Sequence, residues 1–216
     1  MGFDLLLSRR AALDAALFGG FSAFSALGPA RAQSSEAAAG DPVATVKSLQ
    51  DGLLDVLLKA ASLTPKQRFD ALQPAIAAAF DLSGMAKIGF GAGWEALPEA
   101  QKAEAARALG DYIAASYAAR FEDLRIKGFE RDAQIVQRGD APVVTTRMIL
   151  VAGAPMPIDY VMRQTPKGWL VADILANGSI SELAGWRGTI RGLAAQGGAQ
   201  AVMDGLKQRT EAFLTP

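Results

Sequence analysis

The chain has 216 residues, with 22 Lys and Arg against 22 Asp and Glu, so no charge bias points to nucleic acid or to an acidic partner. It contains no cysteine and no histidine. That excludes disulfides, thiolate metal sites, cysteine nucleophiles, Ser-His-Asp triads and most zinc sites.

Near the front, Arg9 and Arg10 precede a moderately apolar run from Ala11 to Leu27, followed by Gly28-Pro29 and Ala30-Arg31-Ala32, an A-x-A cleavage pattern. Asp14 interrupts the run, which is a poor spanning helix where about 20 apolar residues are needed. Residues 1–32 are therefore read as a signal peptide cleaved after Ala32, with an uncleaved anchor as the alternative. The paired arginines are compatible with twin-arginine export. Residues 33–43 are small and polar and read as a flexible lead-in; 44–216 read as one domain.

From Ala44 to Ala61, Val46, Leu49, Leu53, Val56, Leu57 and Ala60 form a helical stripe. Thr64-Pro65-Lys66-Gln67 has the composition of a capping box and opens a second helix running to about Phe80. Residues 81–94 read as a short helix ending in a glycine-rich turn. Gly89, Gly91 and Gly93 do not make a phosphate loop, because no strand precedes them and no Walker lysine follows. No cofactor is expected. Pro98 opens a long helix to about Leu124 or Arg125, with Leu109, Ile113, Tyr117, Phe121 and Leu124 along one face.

After Gly128 the period becomes two, and four strands are predicted over 129–138, 142–151, 156–164 and 169–176. The segments RGDAP, AGAP and TPKG between them have hairpin composition. In the last strand, strict alternation puts Trp169, Val171 and Leu175 on one face with Asp173, and Leu170, Ala172 and Ile174 on the other. Both faces are apolar, so the sheet is expected to be covered on both sides there. Ser179-Ile180-Ser181-Glu182 reads as a second capping box after an Asn177-Gly178 turn. Leu183, Trp186, Ile190 and Leu193 make one helical face, Gly197-Gly198 break it, and Val202, Leu206 and Phe213 mark a last helix. The class is α+β: a four-stranded antiparallel curved sheet packed with N- and C-terminal helices.

Six segments in order, FDLSGMA (80–86), GWEALPEAQ (93–101), SYAARFE (116–122), PIDYVMR, GWLVADILANGSISELA and the glycine-broken C-terminal helices, resemble the MlaC family over about residues 43–214. These are periplasmic lipid carriers, also called toluene-tolerance or ABC-transporter auxiliary proteins. AAFDLSGMA and DILANGSISELA resemble the hopanoid-associated HpnM branch most. The resemblance implies an apolar cavity for lipid tails and a monomer that shuttles phospholipid or hopanoid between an inner-membrane transporter complex and an outer-membrane complex. The chain departs from the family pattern at Gly188-Thr189-Ile190, where relatives carry an acid and a Phe after the basic position that Arg187 keeps.

The implied cavity would be walled by Met85, Ile88, Phe90 and Trp94, by Tyr117 and Phe121 of the long helix, and by Val144, Met148, Leu150, Ile158, Tyr160, Met162, Val171 and Ile174 of the strands. The methionines are unbranched and adaptable, which suits a wall that accepts variable shapes. No catalytic residue and no metal is required by such a carrier. Two other readings stand beside it. One is an isomerase-like enzyme using the buried carboxylate of Asp173, with Asp173 and Tyr160 as its candidate residues; the other is a ligand-free envelope adaptor. In the structural alternative Asp173 pairs with Arg163, Arg147 or Arg187.

Overall fold

The computed structural model describes residues 40–121, 126–130 and 132–215. The segments expected to be a signal peptide and most of the expected lead-in, including the A-x-A pattern ending at Ala32, lie outside the described residues.

The helical half follows its local signals. Helix α1 (Pro42–Leu57) starts with Pro42 just inside the end and with the Asp41 carboxylate accepting the Val43 amide at 2.9 Å. Val46, Leu49, Leu53 and Val56 bury its stripe, and a short 3-10 turn over Ala60–Ser62 follows. Helix α2 (Pro65–Ala79) carries the full capping box: the Gln67 amide donates to the Thr64 hydroxyl at 3.2 Å, and Gln67 Oε1 accepts the Thr64 amide at 2.9 Å. Helix α3 (Leu82–Phe90) is capped by Asp81, whose carboxylate accepts the Gly84 amide at 3.0 Å. A 3-10 turn over Gly91–Trp94 leads to α4 (Glu99–Arg120). The α4 helix ends at Arg120, before Leu124, which lies outside the described residues.

The sheet has six strands instead of four: β1 (Ile126–Phe129), β2 (Gln134–Arg138), β3 (Ala141–Leu150), β4 (Met156–Thr165), β5 (Gly168–Ala176) and β6 (Ile180–Ser181). All named pairs are antiparallel, in the order β1-β3-β4-β5-β6, with β2 also pairing β3. The single strand expected over 129–138 is two pieces of one broken edge. β1 pairs the far end of β3, at Met148 to Leu150, and β2 pairs its near end, from Ala141 to Thr145. The irregular stretch between them is pinned by the Glu130 amide donating to the Arg147 carbonyl at 2.9 Å.

The extra strand at the other edge comes from the Asn177-Gly178 turn. Both residues have positive φ, 52° and 72°, and with Ser179 they make the tight turn that reverses the chain between the paired Ala176 and Ile180. Ile180 and Ser181 consequently fold back opposite Ala176 and Leu175. Helix α5 (Glu182–Leu214) therefore starts two residues later than a cap at Ser179 would place it. Its cap is Ser181, whose hydroxyl accepts the Ala184 amide at 3.0 Å. Gly197 and Gly198 interrupt α5 with non-helical backbone; Gly198 has φ of 66°, a conformation that favours glycine.

A bulge decides which side chains share a face. Val161 of β4 stands opposite Asp173, but the next residue, Met162, stands opposite Val171. Ala172 is thus an inserted residue, and it flips the parity of β5. Val171 and Ile174, assigned to opposite faces by strict alternation, both join Tyr160 and Met162. The apolar character of β5 on "both" faces is largely one face read across a change of register. That face meets the helices, as the Gln50 side chain of α1 shows by donating to Thr146 at 3.0 Å and to the Tyr160 hydroxyl at 3.3 Å. Val144, Tyr160, Met162 and Val171 are buried there with Leu49, Leu72, Ile76, Leu109 and Ile113. On the opposite face an ion pair joins Arg138 to the buried Asp159.

Candidate functional site

One end of the core does not close. Between the last turns of α1 and α4, the start of α5 and strands β1, β3, β4 and β5 lies a pocket of about 190 Å³. Leu53 and Leu57 come from α1, and Tyr117, Arg120 and Phe121 from the end of α4. Ile126 and Phe129 come from β1, and Met148 from β3. Met156, Ile158 and Tyr160 of β4, Ile174 and Ala176 of β5, and Glu182 of α5 complete it. Twelve of these side chains are apolar or aromatic, and two, Arg120 and Glu182, are charged.

The wall is built by register. Ile158 stands opposite Ala176, Tyr160 opposite Ile174, and Met148 opposite Met156, so three cross-strand pairs present six neighbouring side chains to the same space. The helical side is built by the four-residue step from Tyr117 to Phe121, whose rings stack at 6.3 Å with an interplanar angle of 16°. Leu57, Tyr117, Phe129, Met156 and Ala176 are only half-buried, which is what an accessible apolar wall requires.

The two tyrosines differ. Tyr160 is fully buried, and burial pushes its hydroxyl up to about 12, against a smaller lowering by the hydrogen bond from Gln50. Tyr117 is raised further, first by burial and then by the Glu182 carboxylate, with Arg120 acting in the opposite sense. Both phenols are neutral at ordinary pH. They serve as apolar surface with a polar tip.

Six of the fourteen side chains expected to wall a cavity line this pocket: Tyr117, Phe121, Met148, Ile158, Tyr160 and Ile174. The other eight lie elsewhere. Met85, Val144, Met162 and Val171 are in the closed core, and Trp94 is buried with its ring 5.6 Å from that of Phe90. Ile88, Phe90 and Leu150 are half-buried outside the pocket lining. Leu53, Leu57, Arg120, Ile126, Phe129, Met156, Ala176 and Glu182 line the pocket without having been singled out for it. Leu53 and Leu57 stood on the helical stripe of α1, but a stripe does not say which of its ends meets a void.

Asp173 is occupied elsewhere. Its Oδ1 accepts the Ile174 amide at 2.7 Å and the Leu183 amide at 2.9 Å, and its Oδ2 accepts the Ser181 hydroxyl at 2.6 Å. It stands opposite Val161, away from the face that carries Tyr160, and it does not line the pocket. The arginines offered as its partners bind other groups: Arg163 pairs with Asp81, and Arg147 lies 3.9 Å from Glu130. Arg187 makes no salt bridge among the described residues. Also among the described residues, no group of three or more His, Cys, Asp or Glu side chains is placed to hold a metal ion, and no helix is long and apolar enough to cross a membrane.

No curated protein matches this sequence. Among solved structures, the phospholipid-binding protein from Ralstonia solanacearum, determined in complex with a phospholipid, superposes with a TM-score of 0.66 at 19% identity. The superposition covers 82% of this chain and 100% of that one, and at this identity the likeness carries the fold. The family model described as MlaC protein matches residues 47–208, from the first turns of α1 into the second half of α5. With the sheet, the pocket and most of the helical residues inside that match, the chain belongs to the MlaC family.

Proposed function

We propose that this protein is a lipid carrier of the periplasm, exported by the signal peptide over residues 1–32. It holds the apolar part of a phospholipid or hopanoid in the pocket at the end of α4. It carries that lipid between an inner-membrane transporter complex and an outer-membrane complex. The observation that supports this most is the composition of the pocket: twelve apolar or aromatic side chains around an accessible void, with charge only at Arg120 and Glu182. The Ralstonia solanacearum structure, determined in complex with a phospholipid, adds support through the shared fold. The segments AAFDLSGMA and DILANGSISELA favour the HpnM branch and, with it, a hopanoid.

The energetics suit the role. Each buried methylene contributes about 0.8 kcal/mol, so ~10 of them supply ~8 kcal/mol before the cost of ordering the ligand. A rigid polycyclic lipid loses less internal freedom than acyl chains of the same area. The void of about 190 Å³ is smaller than the roughly 300–1,000 Å³ of ordinary small-molecule sites. Loading a lipid therefore requires the walls to give. Met148 and Met156 are unbranched, and Leu57, Tyr117 and Phe129 are half-buried, so the side chains best able to move are the ones on the lining.

The test is native mass spectrometry of protein isolated from envelope extract under non-denaturing conditions, followed by extraction of the bound lipid. The reading expects a mass above that of the apoprotein and a phospholipid or hopanoid in the extract. Apoprotein alone, with no uptake from vesicles, would sink it.

A further inference from the structure

The pocket lining ends in opposite charges. Arg120 is in the last turn of α4 and exposed; Glu182 is the first residue of α5 and half-buried. Among the described residues neither takes part in a salt bridge, although acids and bases elsewhere on the molecule pair readily. Both lie close enough to Tyr117 to act on its hydroxyl in opposite senses. The apolar pocket is thus lined by one exposed cation and one half-buried anion that form no salt bridge with each other.

We propose that this pair of charges selects a zwitterionic lipid head group, one carrying both a phosphate and an ammonium, over an anionic head group with no cation. The inference rests on the lipid-carrier reading and specifies the substrate class at the same site. The guanidinium of Arg120 matches a phosphate with two parallel N–H donors. The Glu182 carboxylate then receives the ammonium. A head group of phosphate and glycerol satisfies Arg120 but leaves Glu182 facing net negative charge, which disfavours it. Tails held in the pocket keep the head near both groups, so modest charge contacts decide between lipids whose apolar parts are the same.

The experiment uses vesicles containing equal amounts of phosphatidylethanolamine and phosphatidylglycerol with identical acyl chains. The protein is incubated with them, separated, and its bound lipids are counted by native mass spectrometry. The wild type is expected to carry the ethanolamine lipid in about threefold to fivefold excess, the range set by partly exposed charge pairs. Glu182→Gln is expected to bring the ratio close to one, and Glu182→Lys to invert it. Arg120→Gln is expected to lower loading of both lipids. Circular dichroism and thermal melting of each variant separate these effects from loss of fold, and the Lys variant carries the test if the Gln variant is unstable. Wild-type protein loaded with both lipids in the vesicle ratio would overturn this inference and leave the carrier reading standing. Protein that takes up neither phospholipid would overturn this inference, and if it also leaves behind a hopanoid added to the same vesicles, the carrier reading falls with it.

Discussion

The Ser181 hydroxyl donates to the Asp173 carboxylate at 2.6 Å while the same oxygen accepts the Ala184 amide at 3.0 Å. One serine thus joins strand β5 to the first turn of α5. The other carboxylate oxygen takes the amides of Ile174 and Leu183, so the acid organises the junction by accepting three hydrogen bonds.

Replacing Asp173 by Asn puts an amide group where one of its oxygens receives a donor. Asp173→Asn is expected to destabilise the fold by about 1–3 kcal/mol, and Ser181→Ala by about 1 kcal/mol. In a double-mutant cycle read by urea denaturation, the two losses should add to more than the loss in the double variant. Strict additivity would show that the 2.6 Å contact contributes nothing to stability.

Ala176 is half-buried, lines the pocket and stands opposite Ile158. Ala176→Phe should fill the void from the β5 side. Lipid carried by the purified protein is expected to fall about tenfold or more, with a stability change of no more than ~1–3 kcal/mol from overpacking. Unchanged lipid content in a folded Ala176→Phe protein would place the lipid somewhere other than this pocket.

Gly89 lets α3 and α5 approach. A Cβ there would lie 2.4 Å from Ile190 Cδ1 and 3.1 Å from Ile190 Cβ, whereas one at Gly93 meets nothing within 4 Å. Helix propensity favours Ala over Gly by up to about 1 kcal/mol. The clash reaches the branch point of Ile190, so packing wins over propensity. Gly89→Ala is expected to lose about 1–3 kcal/mol, and Gly93→Ala to stay within about 0.5 kcal/mol. Equal denaturation midpoints for the two variants would contradict the packing account.

Tyr160 provides an alkaline signature. Its folded-state pKa is pushed up to about 12 from an ordinary 10.0, with burial the first cause. The folded state therefore keeps a proton that the unfolded chain releases. The resulting stability is fully present below pH 10.0 and is lost as pH rises toward about 12. Chemical denaturation across that range should show a steeper fall for the wild type than for Tyr160→Phe. Parallel curves would mean that Tyr160 does not titrate differently in the two states.

Where a signal was local, it could be read directly. The Thr64–Gln67 box and the stripe of Leu109, Ile113, Tyr117 and Phe121 depend on residues three and four apart, and the structure realises both. The glycine break at Gly197-Gly198 is local too, because it needs only a backbone without Cβ. The Asn177-Gly178 dipeptide was equally legible as a hairpin; taking it as the lead-in to a helix missed β6 and displaced the cap from Ser181.

The sequence by itself determined the α+β class and the broad order of helices, then strands, then helices, and it excluded the chemistry that histidine and cysteine would supply. It also contained, in six ordered segments, the resemblance to the MlaC family that the family match then established. The tertiary structure alone decided the face of each β5 side chain, because the inserted Ala172 changes parity only through pairing with β4. It also decided which apolar residues are core and which are wall. Met85 and Met148 look alike along the chain, yet Met85 is fully buried in the core and Met148 borders a void. Burial of an apolar side chain is encoded by local periodicity, whereas a gap in the packing exists only where distant elements stop short of one another.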